Sequence, residues 1–246
     1  MNSKLRNNKP VYLLYQIYKY LGFVPLLVIS TIICSTMAVV LSILINPQIG
    51  YYGGIWWARF NTWTTPMRLT IKGSANIDRN RSYVVVSNHQ SYFDILALVG
   101  FLPLNLKWVM KQELRKVPFF GFACRKVGHI FVDRSNREAA IAAIRKAKAT
   151  IKAGTGIMFM AEGTRSATGK LQKFKKGAFR FALDIDLPIL PVTIAGTKDI
   201  LPKNTMDLFP GRACMTIHAP IDVRGHDLET IDKLISLTRK AILKGL

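Results

Sequence analysis

Ser82-Tyr83-Val84-Val85-Val86-Ser87-Asn88-His89-Gln90-Ser91-Tyr92-Phe93-Asp94 decides how the chain is read. Tyr83 to Val86 is a short β-branched apolar run, the pattern of a strand buried on both faces. Polar residues cut it off, and Tyr92, Phe93, Ile95, Leu96, Leu98 and Val99 then open an apolar, helix-like segment. A histidine and an acid therefore stand where a strand gives way to a helix. In an α/β protein that is where ligands meet the carboxyl ends of the strands.

The spacing of the pair restricts how it can work. On a regular helix, residues five apart point roughly 140° away from each other, so His89 and Asp94 share no helical face. They meet only if His89 lies in the turn and Asp94 in the first helical turn. The imidazole can then take a proton from a hydroxyl while the carboxylate fixes its tautomer and stabilises the imidazolium. A structural reading stands beside this one: Ser91-x-x-Asp94 also fits a capping box, with Asp94 closing the helix N-terminus.

Outward from this stretch, 246 residues suffice for one good-sized core and an appended segment. Thirty-five Lys and Arg against fourteen Asp and Glu give a formal charge of +21. Such a field attracts polyanions: nucleic acid, an anionic membrane surface or phosphorylated substrates. Nucleic acid is the poorest fit, because the aromatic residues gather near the N-terminus and do not interleave with the basic runs. Cys34, Cys124 and Cys214 are odd in number and scattered, which fits a reducing compartment and neither a disulfide framework nor a zinc site. The four histidines are too dispersed for a metal cluster, so no metal is expected.

No charged residue occurs from Leu21 to Ile45, a length that crosses a hydrocarbon core of ~30 Å as a helix. The stretch is too long for a cleavable signal peptide, and Ile45-Asn46-Pro47 offers no cleavage site. The tyrosines and tryptophans between Tyr51 and Trp63 suit a membrane–water interface. Basic residues flank the apolar stretch on both sides, so a single span leaves one basic flank outside, against the positive-inside tendency. A hairpin over residues 11–65, bent near Asn46-Pro47, avoids that conflict; an ordinary single span is the alternative.

From Met67 the pattern becomes α/β. Strands are predicted at Arg68–Lys72, Val84–Val86, Leu104–Met110, Ile130–Val132, Ile157–Met160, Ile189–Ala195 and Met215–His218. Helices are predicted at Tyr92–Phe101, Pro118–Val127 and Gly177–Ile185. Another opens at the capping box Ser135-x-x-Glu138, buries Ile141, Ile144 and Ile151, and stops at Gly154. Asp227 caps a last helix with a stripe of Leu228, Ile231, Leu234, Ile235 and Ile242. The expected fold is α/β, a mixed, largely parallel sheet flanked by helices. It carries an N-terminal membrane-anchoring helical segment, residues 1–65 anchoring and 66–246 forming the α/β domain.

Four polar clusters fall just past predicted strand ends: Asn88-His89, Lys111, Asp133-Arg134 and Glu162-Gly163-Thr164-Arg165. In an open α/β sheet those ends share one edge. Singly, each has a plainer reading as a solvated lysine, a surface turn or a local ion pair worth little. The Glu162–Arg165 loop is the best anion site. Gly163 lets the backbone come close to a ligand, Thr164 brings a hydroxyl, and Arg165 brings a planar fork that matches phosphate oxygens. Glu162 is expected to hold that fork in place. Lys170, Lys173, Lys175 and Lys176 add field. The loop is not a P-loop, because the glycine spacing is one residue too long and Leu171 stands where Ser or Thr should be. Gly154-Thr155-Gly156 precedes a strand, which excludes a dinucleotide fingerprint, and no G-x-S-x-G elbow is present. His129, His218 and His226 read as strand or surface histidines.

Asn88-His89-Gln90-Ser91-Tyr92-Phe93-Asp94 resembles the N-H-x-S-x-x-D block of the glycerolipid acyltransferases. Gly128-His129-Ile130-Phe131-Val132-Asp133-Arg134 resembles their second block, Glu162-Gly163-Thr164-Arg165-Ser166 their E-G-T-R-S block, and Leu187-Pro188-Ile189-Leu190-Pro191-Val192 their fourth. The blocks match in order and spacing over about residues 82–195. Ala161 departs from the family's usual proline before the glutamate.

The resemblance implies transfer of a fatty acyl group from a thioester, acyl-CoA or acyl carrier protein, to the sn-2 hydroxyl of lysophosphatidic acid, with no further cofactor. It implies His89 as general base oriented by Asp94, and Arg165 as the phosphate ligand with Arg134 and Lys111 beside it. It also implies a place at the inner, cytoplasmic membrane, with the α/β domain facing the cytoplasm and an anionic membrane surface as partner. Two other readings stay open: an acyltransferase for another lysolipid, such as lyso-ornithine lipid or a lysophospholipid, and a non-catalytic protein that binds anionic membranes.

Overall fold

The structure, a computed structural model, describes residues 8–65, 67–133, 138, 142–143, 146, 151–205 and 207–246. Arg134, Ser135 of the capping box, Ile141 and Ile144 lie outside the described residues. The N-terminal part is helical: α1 (Lys9–Tyr18), a π-helical turn (Lys19–Phe23), α2 (Val24–Leu44) and α3 (Pro47–Thr64). Together α1, the π turn and α2 make one continuous apolar helix from Lys9 to Leu44. The π turn sits just before Pro25, which has no N–H to give and whose ring crowds the preceding turn.

Asn46 breaks the helix. Its side chain accepts the N–H groups of Gln48 and Ile49, both at 2.9 Å, and so caps α3 with Pro47 at its first position. The chain reverses there, and α3 runs back antiparallel along α2. Small residues let the two backbones approach closely: a Cβ on Gly50 would lie 1.9 Å from Ser42 Oγ, and one on Gly53 would lie 2.7 Å from Ala38 Cβ. Trp57 Nε1 donates to Thr31 Oγ1 at 3.0 Å and Asn61 Nδ2 to Ser30 Oγ at 3.0 Å. The outer face stays bare, with Leu21, Leu44 and Trp63 all more than three quarters exposed.

The strands are β1 (Met67–Lys72), β2 (Tyr83–Ser87), β3 (Asn105–Lys111), β4 (Ile130–Val132), β5 (Thr155–Met160), β6 (Ile189–Ala195) and β7 (Gly211–Ile217). The helices of this part are α4 (Phe93–Phe101), α5 (Phe120–Val127), α6 (Gly177–Ile185) and α7 (Ile231–Leu243). The sheet order is β1-β7-β6-β2-β5-β3-β4, parallel throughout except between β6 and β7. This is the expected mixed, largely parallel α/β fold. Central β2 is buried from Tyr83 to Ser87. Val84 and Val86 face a core completed by α6 and α7, while Val85 faces the core shared with α4, α5 and the hairpin.

Two helix starts differ from the sequence expectation. Helix α5 begins at Phe120, after a tight turn at Phe119. Helix α7 begins at Ile231, because Asp227 accepts the N–H groups of Glu229 and Thr230 in a turn of its own (3.0 and 2.8 Å). Leu228 is therefore 67% exposed and no part of the buried stripe.

Lys107 of β3 is buried, and its Nζ donates to the Val127 carbonyl at 2.6 Å, at the C-terminal end of α5. Burial pushes its pKa down to about 8. Burial first, and the Lys107 charge second, push His129 down to about 3. His129 is thus neutral, with Nδ1 accepting the Trp108 N–H at 3.3 Å. A lysine with a folded pKa below its unfolded value binds fewer protons folded than unfolded between the two, so stability rises with pH across about 8 to 10.5. In detergent, unfolding free energy should climb by up to about 3 kcal/mol from pH 7.5 toward 10. Lys107→Met should flatten that climb in the same urea titrations; an unchanged slope in the variant would assign it to another group.

Candidate active site

The loop after β2 is held from both sides. Asn88 clamps it to β6, with Nδ2 donating to the Ile194 carbonyl and Oδ1 accepting the Ile194 N–H, both at 2.8 Å. On the β5 side the His89 N–H donates to Glu162 Oε1 at 2.7 Å, and the His89 carbonyl accepts the Ser166 N–H at 2.7 Å. The backbone of His89 is therefore fixed before its side chain meets anything.

Asp94, in the first turn of α4, is fully buried and receives four donors. Its Oδ2 lies 2.8 Å from His89 Nδ1 and accepts the N–H groups of Gln90 and Ser91 at 2.6 and 2.9 Å. Its Oδ1 accepts the Thr197 hydroxyl at 2.5 Å. The capping reading and the His–Asp reading thus hold together: one carboxylate closes the helix N-terminus and holds the imidazole. An acceptor-only group at Nδ1 places the ring proton there, which makes Nε2 the basic nitrogen. Nε2 has no hydrogen-bond partner among the described residues.

The loop after β5 turns at Gly163, whose φ of 74° is left-handed. A Cβ there would also lie 2.8 Å from Lys175 Cε, so the lysine side chain would have to shift. Glu162 is buried but does not hold Arg165. Its oxygens accept the N–H groups of His89 (2.7 Å) and Gln172 (2.8 Å), tying the loop after β2 to the loop after β5 and closing the latter on itself. Buried backbone donors need acceptors, and these two outweigh a nearby guanidinium. Burial pushes the Glu162 pKa up, while its N–H donors and the neighbouring histidine pull it down. Arg165 instead lies over the ring of Tyr92, 3.8 Å from its centroid, three residues after His89. Among the described residues no carboxylate pairs with Arg165. Thr164 is exposed beside it.

Lys111 ends β3 at the same edge. By strand register it stands on the rung of Ala161 and Asn88, two strands or ~10 Å from β2, and no hydrogen bond joins it to the His89 group. Asp133 follows β4 at this edge. Among the described residues no three His, Cys, Asp or Glu side chains gather as a metal site.

Sequence reading missed Thr197, Tyr92 and Lys203. Thr197 lies 103 residues from Asp94 in the chain. Lys203 Nζ reaches the Arg165 carbonyl at 2.7 Å. Tyr92 carried one signal, an aromatic residue at the junction of the polar turn and the apolar helix. Beside the edge, a cavity of about 150 Å³ opens between the hairpin, α4, β3 and α5. Its walls are almost wholly apolar, including Ile95, Val99, Trp108, Met110 and Val127.

The family model described as acyltransferase matches residues 68–195. A coconut (Cocos nucifera) 1-acyl-sn-glycerol-3-phosphate acyltransferase is 32% identical over 180 residues, 73% of this chain and 58% of that one. The sheep (Ovis aries) 1-acyl-sn-glycerol-3-phosphate acyltransferase alpha is 29% identical over 178 residues, 72% of this chain and 62% of that one. The chain spans about three fifths of the length of these curated relatives. The crystal structure of the 1-acyl-sn-glycerophosphate (LPA) acyltransferase PlsC from Thermotoga maritima superposes with a TM-score of 0.80 at 28% identity. The superposition covers 96% of this chain and 95% of that one.

Proposed function

The chain belongs to the acyltransferase family, and on that premise we propose that it moves a fatty acyl group from an acyl thioester to the sn-2 hydroxyl of 1-acyl-sn-glycerol-3-phosphate, making phosphatidic acid. The observation that carries this reading is the buried Asp94 carboxylate on His89 Nδ1, with the Arg165 guanidinium held over Tyr92 on the same sheet edge. His89 Nε2 takes the proton of the acceptor's hydroxyl as its oxygen attacks the thioester carbonyl. The tetrahedral intermediate then collapses, the carbon–sulfur bond breaks, and the imidazolium returns the proton to the departing thiolate. Asp94 stabilises the imidazolium between the two transfers. No acyl-enzyme is required, and none of these steps calls on a cofactor beyond the thioester of coenzyme A or acyl carrier protein.

Arg165 grips the acceptor's phosphate, with Lys111 and Thr164 on the same edge adding to the anion site. The apolar cavity beside α4 suits an acyl chain. The helical hairpin within residues 1–65 serves as a monotopic anchor, its bare apolar face in one leaflet and both basic flanks on one side. The α/β domain then works at the cytoplasmic face of the inner membrane.

Thiol release from acyl-CoA and acyl-carrier-protein donors, with and without each of a small panel of lysolipids, tests the reading. Release that depends on lysophosphatidic acid is expected; no acceptor-dependent release would leave an anionic-membrane binder, and a preference for another lysolipid would move the acceptor. Arg165→Ala should raise the KM for lysophosphatidic acid about 10–100-fold with kcat nearly kept, the loss of a charge-assisted phosphate contact. Tyr92→Ala should raise the same KM about 2–5-fold, the worth of a partly exposed cation–π contact, and Tyr92→Phe should restore it. An unchanged KM in the arginine variant would place the phosphate elsewhere.

A further inference from the structure

The segment that joins β3 to α5, together with the first turn of α5, exposes apolar side chains in a strongly basic setting. Leu114, Val117, Phe119 and Phe122 leave 38%, 42%, 55% and 44% of their surface exposed. Lys111, Arg115, Lys116, Arg125 and Lys126 surround them, with Glu113 the one acid in the stretch. Arg125 and Lys126 lie over the Phe122 ring, 5.0 and 5.5 Å from its centroid.

Phe119 faces outward at a cost. Its backbone lies at φ 58° and ψ −59°, the centre of a γ-turn closed by the Phe120 N–H on the Pro118 carbonyl at 2.6 Å. A bulky residue at positive φ is strained and persists where its surroundings over-determine it. Gly121 supplies that constraint. It packs so tightly on the preceding turn that a Cβ would lie 2.4 Å from the Arg115 carbonyl oxygen. The aromatic is thus presented on a rigid mount. Helix α5 packs against α2, the hairpin helix that leaves Ile33 60% exposed. At its other end the segment starts from Lys111, on the edge that carries His89.

We propose that residues 114–122 are a second membrane-contacting element, a rigid apolar wedge with a basic collar that sits in the interface of an anionic bilayer beside the hairpin. This rests on the hairpin being the anchor. Apolar tips reach the acyl boundary while Arg and Lys meet headgroup phosphates, the division of labour of interfacial segments. The wedge fixes the depth of the sheet edge, so the acceptor's glycerophosphate meets His89 without leaving the bilayer.

The test places the photo-crosslinking residue p-benzoylphenylalanine at position 119, 33 or 228 of the full chain, reconstituted in mixed phosphatidylglycerol–phosphatidylcholine vesicles. Leu228 is 67% exposed and precedes α7, on the other face of the sheet. Lipid adducts at 119 should exceed those at 228 at least about fivefold and fall severalfold in pure phosphatidylcholine. Adducts at 33 with only background at 119 overturn the wedge and leave the anchor standing; no adducts at 33 overturn the anchor and the wedge with it. Protein adducts at 119 in native membranes, in place of lipid ones, assign the patch to a protein partner and overturn the proposal.

Discussion

His89→Ala is expected to lower acceptor-dependent turnover about 10²–10⁴-fold, the worth of a positioned general base, with folding and membrane association retained. The backbone of His89 makes the structural bonds, to Glu162 Oε1 and from the Ser166 N–H, and alanine keeps both. Asp94 keeps the N–H groups of Gln90 and Ser91 and the Thr197 hydroxyl when the ring is gone. The variant therefore removes the proposed base and little else. Initial-rate thiol release, beside circular dichroism and vesicle flotation, checks it. Turnover within a few-fold of the parent would remove His89 as the base.

Asp94→Asn is expected to lower kcat by a comparable factor for a different reason. The asparagine amide has the shape of the carboxylate. Its oxygen can take the three N–H donors that Oδ2 now accepts, and its NH₂ can donate to Thr197, whose hydroxyl oxygen also accepts. What disappears is the negative charge that stabilises the imidazolium between the two proton transfers. The loss should fall on kcat, with the KM for lysophosphatidic acid nearly unchanged, because the phosphate grip is proposed for Arg165. Asp94→Ala should unfold more easily as well, since it strands four buried donors at about 1–3 kcal/mol each. An asparagine variant with full kcat would reduce Asp94 to a helix cap.

The two substitutions separate roles that one carboxylate performs together. Capping and orientation both need a short acceptor at the start of α4, and a single buried oxygen takes the imidazole N–H and two backbone N–H groups at once. The geometry of Asp94 is therefore compatible with both the structural and the chemical reading of Ser91-x-x-Asp94.

Much of the fold was legible because its signals are local. Tyr83–Val86, Ile189–Ala195 and Gly177–Ile185 carry strand or helix patterns in their own side chains, and the structure puts elements at those places. Asn46-Pro47 marked a reversal for a reason equally local, a capping side chain followed by a residue without an N–H. The helix starts that shifted, to Phe120 and Ile231, moved because a γ-turn and an aspartate-closed turn took the residues that periodicity had given to helices, and the last strand starts at Gly211 where it was expected at Met215.

The site divides along the same line. By itself the sequence determined that His89 and Asp94 can meet, because a turn followed by a helix start brings residues five apart together whatever surrounds them. It also determined that Asn88, Lys111 and the Glu162–Arg165 loop share an edge, because parallel strands align their carboxyl ends. Only the tertiary structure decided what each group touches: Thr197 on Asp94, Tyr92 beneath Arg165, and Glu162 on two backbone N–H groups in place of the guanidinium three residues away. Those contacts satisfy buried donors and acceptors from distant parts of the chain, and such a demand exists only once the chain has folded and water has gone.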